Sequence, residues 1–299
     1  MILRCGYMTS SGHYWVLLIL GFILFAIPNI GTTGEVVKST LPNKIKVTAF
    51  YHQGNEKSPA ILLVHGFLQT RNYQTVTSLS NSLADEEYTV LTPTLSLGIS
   101  LRQRSLACEA IHVHTMQSDV KEISYWVNWL VEKGHKEIIL VGHSYGSLQV
   151  IVYASGKSNP AVKKIIATSL VDAEHVLGKE NLYRQIKSAR RDIKKDKTAL
   201  QEFQISYCKK FVAPPNVFLS YAEWTKENIL KSLKDIKVPT EVILGSNDAR
   251  MAPEWPSNIK NTGTTVSMVK DANHFFSSAQ EFDLFDGVQS SIDRVAVGK

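Results

Sequence analysis

Ile138-Ile139-Leu140-Val141-Gly142-His143-Ser144-Tyr145-Gly146-Ser147 is the stretch whose reading decides the fold. An unbroken apolar run ends in Gly-His-Ser-Tyr-Gly, and helix-compatible sequence from Leu148 to Ala154 follows at once, so the order is strand, tight turn, helix. A serine at the apex of such a turn is held in a strained backbone conformation, with its hydroxyl raised above the sheet edge and the next N–H opening a helix. Glycine is expected at 142 and 146 because a Cβ at either position would meet the crossing strand and helix. The five-residue pattern alone is common in a chain of this composition, and its surroundings give it meaning.

Working outward, Ala60-Ile61-Leu62-Leu63-Val64 reads as a strand buried on both faces and runs directly into His65-Gly66-Phe67-Leu68. Ser78 to Ala84 reads as helix, and Tyr88 to Pro93 as the next strand, stopped by its proline. Nearer the N-terminus, Glu35 to Leu41 and Lys44 to Tyr51 form a hairpin turned at Leu41-Pro42-Asn43. The loop from Thr94 to Gln117 is too long for a plain connector and is expected to build a site. Ser118-Asp119 is expected to cap a helix carrying Ile123, Trp126, Val127 and Leu130 on one face.

Beyond the central turn, Val162 to Leu170 is another buried strand, so strand and helix alternate from Ala60 onward. That alternation argues an α/β fold with a mostly parallel sheet covered on both faces. From Asp172 to about Asp235 the alternation stops, and the sequence, helical, polar and basic, reads as an inserted helical cap. Pro239 to Leu244 and Thr264 to Val269 resume the strands, and Ser277 to Ile292 closes the chain as a helix.

The composition, 299 residues with 44% hydrophobic and 20% charged, suits one large globular domain spanning residues 35–299. A net charge of +6 is too diffuse to argue nucleic acid, and no arginine-rich arm, zinc-finger spacing or aromatic RNA platform occurs. Residues 1–34 are different in kind. No charged side chain lies between Arg4 and Glu35, and Trp15 to Ile27 is apolar apart from Gly21. The segment is expected to be a signal peptide or an N-terminal membrane anchor, both readings open, which would place the domain on the exported, extracytoplasmic side. In such a compartment Cys108 and Cys208 could pair, or remain two free thiols.

A serine hydroxyl needs a general base, an orienter for that base and donors for the oxyanion that forms. Asp248 follows the strand ending at Leu244 and His274 follows the strand ending at Val269, so both are expected at the sheet edge that carries Ser144. With His65-Gly66-Phe67, Gly142-His143-Ser144-Tyr145-Gly146, Gly245-Ser246-Asn247-Asp248 and Ala272-Asn273-His274-Phe275 in this order, the chain from Glu35 onward resembles the α/β-hydrolase superfamily. The resemblance implies Ser144 as nucleophile, His274 as base and acid, Asp248 as orienter, and the backbone N–H groups of Phe67 and Tyr145 as the oxyanion hole. It also implies hydrolysis of a small-molecule or lipid-like acyl substrate, a carboxylic ester ahead of a thioester or amide, with no cofactor and no metal. A non-catalytic binding protein on the same fold is the alternative.

Several residues carry competing readings. Asp172, at the end of the preceding strand, is the rival to Asp248, and Asp271 reads as a turn residue. His65 and His143 read as packed, hydrogen-bonded parts of their turns. His112-Val113-His114 with Glu109 lacks a third and fourth ligand at any metal spacing, so these histidines read as solvated loop residues, with substrate contact as a second reading. The run Lys187 to Lys195 reads as a solvated helix face, or else as a contact for anionic lipid headgroups, a membrane surface being a candidate partner. Oligomeric state is left open.

Overall fold

The computed structural model describes Gly6 and residues 34–296. The apolar run Trp15 to Ile27, and with it the expected signal peptide or anchor, lies outside the described residues. Among the described residues no helix is long and apolar enough to cross a membrane.

The hairpin opens the sheet as β1 (Glu35–Thr40) and β2 (Lys46–His52), paired antiparallel. Then follow β3 (Ala60–Val64), α1 (Gln74–Asp85), β4 (Val90–Thr94), α2 (Met116–Glu132), β5 (Ile138–His143), α3 (Tyr145–Ser155) and β6 (Val162–Thr168). The insert holds α4 (Ala173–Leu177), α5 (Lys179–Ile193), β7 (Gln201–Ile205), β8 (Cys208–Ala213), α6 (Pro215–Ala222) and α7 (Lys226–Asp235). The chain closes with β9 (Thr240–Gly245), α8 (Trp255–Lys260), β10 (Thr265–Val269) and α9 (Gln280–Ala296). The main sheet has eight strands in the order β1-β2-β4-β3-β5-β6-β9-β10. Every pair from β4 to β10 is parallel, while β2 runs antiparallel to both its neighbours.

The middle of the sheet is buried on both faces because β3 and residues 138–141 of β5 are apolar at every position rather than at alternate ones. Ile61 and Leu63 of β3, with Ile139 and Val141 of β5, pack on the side covered by α1 and α9. Leu62, Val64 and Leu140 join the opposite layer with Trp126 of α2 and Val150 of α3. Each such aliphatic side chain, withdrawn fully from water, contributes about 1.5–3 kcal/mol to folding.

Two expectations are corrected here. Thr115, not Ser118, is the N-cap of α2; Ser118 is its third residue and closes the capping box, its hydroxyl accepting the Thr115 N–H at 2.8 Å while Thr115 Oγ1 accepts the Ser118 N–H at 3.1 Å. The insert, expected to be helical, contains the antiparallel pair β7–β8, in which Phe203 and Phe211 are buried opposite each other. The flanking loop adds to this hairpin: Ile111 bridges Val212, and the His112 N–H donates to Val212 O at 2.9 Å. A disulfide between Cys108 and Cys208, their Cα atoms 5.4 Å apart, joins the same two segments. Of the two states left open for these cysteines, the bridged one is present.

Candidate active site

The turn after β5 is shaped by its glycines. A Cβ on Gly142 would lie 2.3 Å from Gly146 O, and one on Gly146 would lie 2.3 Å from Val64 O, so neither position admits a side chain. Ser144 between them sits at φ 58°, the left-handed region, as N-cap of α3. The strain is held by surrounding bonds. The Ser144 N–H donates to Thr168 O at 2.8 Å, and the buried Ser147 hydroxyl reaches Gly142 O at 2.6 Å and Thr168 O at 2.7 Å.

Asp248 and His274 arrive from two neighbouring parallel strands. Gly245 lets their loops cross closely, since a Cβ there would lie 2.3 Å from Ala272 O. The Asn247 N–H donates to Ala272 O at 2.9 Å, and the Ser169 hydroxyl donates to His274 O at 2.7 Å. The result is a continuous chain: His274 Nδ1 lies 2.7 Å from Asp248 Oδ2, and His274 Nε2 lies 2.9 Å from Ser144 Oγ. All three side chains are buried. Burial is the largest influence on His274 and lowers its pKa from the ordinary 6.5; Asp248 opposes that shift and the charge of Arg250 adds to it. The imidazole is therefore neutral at pH 7, with Nδ1–H donating to the carboxylate and Nε2 free to accept the serine proton.

Facing this chain is the turn after β3. Phe67 and Tyr145 stand with ring centroids 4.6 Å apart, and the hydrogen bonds of the two turns leave their backbone N–H groups without an acceptor among the described residues. Tyr207, from the β7–β8 turn, donates its hydroxyl to Phe67 O at 3.0 Å and, with Phe211 and Tyr221, packs around the Phe67 ring. Neither Tyr207 nor Arg102, whose guanidinium donates to Gln69 O at 2.6 Å, is signalled by any local sequence pattern. Only the fold brings them to the turn.

The rival acid stands elsewhere. Asp172 is fully buried, caps α4 by accepting the Glu174 and His175 N–H groups at 3.1 and 3.3 Å, and pairs with Lys226 Nζ at 3.1 Å. It makes no bond to His274. Asp271 is a turn residue at φ 56°, its N–H donating to Ser246 Oγ at 2.8 Å. His65 donates from Nδ1 to Gly66 O at 2.9 Å and accepts the Leu95 N–H on Nε2 at 3.0 Å, which fixes it neutral; burial and nearby Arg102 push its pKa down to about 3. His143 is likewise buried, its Nδ1 3.1 Å from Thr168 Oγ1, and desolvation holds its pKa well below the ordinary value.

The expectation of solvated histidines at 112 and 114 is overturned. Residues 111–114 are extended and alternate, so Ile111 and Val113 face water while both imidazoles turn inward. His112 stacks on Phe211 at 4.2 Å, and His114 Nδ1 bonds the Tyr221 hydroxyl, which donates to Asp119 Oδ2 at 2.6 Å. The basic run, by contrast, lies in α5 and is largely exposed, Arg190 pairing with Glu223 at 2.8 Å.

With this geometry in view, comparison with known proteins places the chain. A family model described as the alpha/beta hydrolase fold matches residues 59–191. No curated protein sequence matches the chain. Solved structures do: Est1E from Butyrivibrio proteoclasticus, at 14% identity and TM-score 0.63, covers 89% of this chain and 100% of its own. A thermophilic esterase from Thermogutta terrifontis, at 19% identity and TM-score 0.60, covers 88% and 99% respectively. A thioesterase domain from the curacin biosynthetic pathway, at 18% identity and TM-score 0.59, covers 87% and 99%. The chain has the α/β-hydrolase fold.

Proposed function

We propose that this protein is a serine hydrolase that cleaves a carboxylic ester through an acyl-enzyme on Ser144. The observation that carries the reading is the unbroken contact from Asp248 through His274 to Ser144 at a strained strand-to-helix turn. In the first half-reaction Ser144 Oγ attacks the carbonyl carbon as its proton passes to His274 Nε2, and the N–H groups of Phe67 and Tyr145 receive the developing oxyanion. The imidazolium, stabilised by Asp248, then gives that proton to the departing alcohol oxygen. Water repeats the sequence on the acyl-enzyme, releasing the acid and restoring Ser144.

A fluorophosphonate probe tests this reading. It is expected to label the wild-type protein and not Ser144→Ala, and absence of label on wild type would identify a non-catalytic binding protein instead. Matched oxygen and thioester substrates, followed by an ester series of increasing chain length, then order the acyl classes.

Export completes the proposal. The apolar run Trp15 to Ile27 supports delivery to the extracytoplasmic side, by signal peptide or anchor, and the Cys108–Cys208 bridge suits an oxidising compartment. Cell fractionation with thiol alkylation checks it, a cytosolic protein with two alkylated thiols at these positions being the contrary result.

A further inference from the structure

The turn after β3 carries a polar atom that no other described residue satisfies. Gln69 Oε1 is shielded from solvent and has no hydrogen-bond partner among the described residues. It lies against Gly66, where a Cβ would stand 2.8 Å from Gln69 Oε1 and 3.4 Å from Ser144 Cβ. The carboxamide oxygen and Ser144 Cβ thus border the same space, the one a side chain on Gly66 would fill.

The backbone beneath this side chain is firmly held. The Gln69 N–H donates to Gly66 O at 3.2 Å, and Gln69 O accepts from Arg102 Nη2 at 2.6 Å. Arg102 is buried and spends its other donors on Leu95 O at 2.8 Å, Arg104 O at 2.9 Å and Leu68 O at 3.4 Å, so it clamps the whole turn from behind. Leu68 sits at φ 57° inside that clamp. A desolvated amide oxygen without a donor costs about 1–3 kcal/mol, and buried orphans of this kind are rare in native folds. Beside a reacting serine, the missing donor has an evident source in the substrate.

Building on the serine-hydrolase reading, we infer that Gln69 Oε1 accepts a hydrogen bond from a hydroxyl next to the scissile carbonyl, making Gln69 a specificity-determining residue for hydroxylated esters. A site built to pair with a substrate hydroxyl discriminates against the analogue lacking it, because the protein group is then left unpaired.

The test uses the full chain and matched substrate pairs that differ by hydroxyls alone: a monoacylglycerol against the propyl ester of the same acid, and a 2-hydroxyacyl ester against its deoxy counterpart. Wild type is expected to favour the hydroxylated member of at least one pair by about tenfold in kcat/KM, the size of one net hydrogen bond. In Gln69→Leu, of similar shape, that preference falls to unity while the melting temperature holds or rises, since an orphan polar atom has been removed. Gln69→Glu keeps acceptor oxygens in place and keeps the preference. No preference in wild type, a preference that survives in Gln69→Leu, or equal loss in the Leu and Glu variants overturns the assignment. Should Gln69→Leu fail to fold, Gln69→Met gives the same reading. A wild type that neither labels at Ser144 nor turns over esters refutes the hydrolase reading itself, whereas normal labelling with an unaltered Gln69→Leu refutes only this inference.

Discussion

The proposed catalytic edge of the sheet and the cover beside it meet at Phe67, yet they are built by different means. At the edge, Ser144 and Asp248 follow the buried strands β5 and β9, His274 follows the outermost strand β10, and register between parallel strands brings them together. The cover is made of the 95–115 loop and the β7–β8 hairpin, which join through Ile111–Val212 pairing, the Cys108–Cys208 bridge and the Tyr207 bond to Phe67 O. One region is positioned by the hydrophobic core, the other by a few long-range links. Chemistry should therefore depend on the edge, and access and specificity on the cover.

Removing the proposed nucleophile gives the largest separation of the two. Ser144→Ala is expected to lower kcat by about 10⁶-fold while leaving the thermal transition nearly in place. An ester assay on purified protein beside a melting curve reads both quantities.

The two aspartates sharpen the comparison within the edge itself. Asp248→Asn removes the acceptor that holds the His274 tautomer and is expected to cost about 10⁴-fold in kcat. Asp172→Asn leaves Lys226 without its buried partner and is expected to cost about 1–3 kcal/mol of stability with turnover retained. Reversal of these two phenotypes would move the triad acid to Asp172.

Breaking the bridge tests the cover. Cys208→Ser, or reduction, opens a crosslink spanning 100 residues of sequence and is expected to lower stability by about 2–5 kcal/mol. Fluorophosphonate labelling of Ser144 should survive at a temperature where the variant is folded, while selectivity among esters shifts. Loss of labelling in a folded variant would show that the cover also holds the catalytic edge.

Acid gives the most gradual effect. His65 and His143 are held neutral by burial, with pKa values below the ordinary 6.5. Unfolded histidines bind protons that the native ones refuse, so stability is full above 6.5 and is lost as pH falls toward the folded values, by about 1.4 kcal/mol per pH unit for each fully buried ring. Denaturant titrations from pH 7 to 4.5 measure that slope. Activity should fall on its acid side below the ordinary histidine range, because burial lowers the pKa of His274; a limb above 6.5 would contradict that environment.

Much of this architecture was legible in the chain because the catalytic edge is encoded locally. Uninterrupted apolar runs of five or six residues mark buried parallel strands, and the residues that close each strand fix what stands at its end. Gly142 and Gly146 announce a turn with no room for Cβ, and the spacing of Asp248 and His274 from their strands places both at one edge. The cover was less legible. Gln201 to Ile205 is short, half polar and set in a basic helical insert, and only its pairing with Cys208 to Ala213 makes it a strand. The alternation that buries His112 and His114 takes effect only because β8 lies beside them, and Arg102 and Gln69 acquire roles only where distant segments converge on the turn after β3. Strand register and steric exclusion act over a few residues and can be read in sequence order, whereas a disulfide, a hydroxyl bond between segments 140 residues apart and an unpaired carboxamide are properties of the closed tertiary structure.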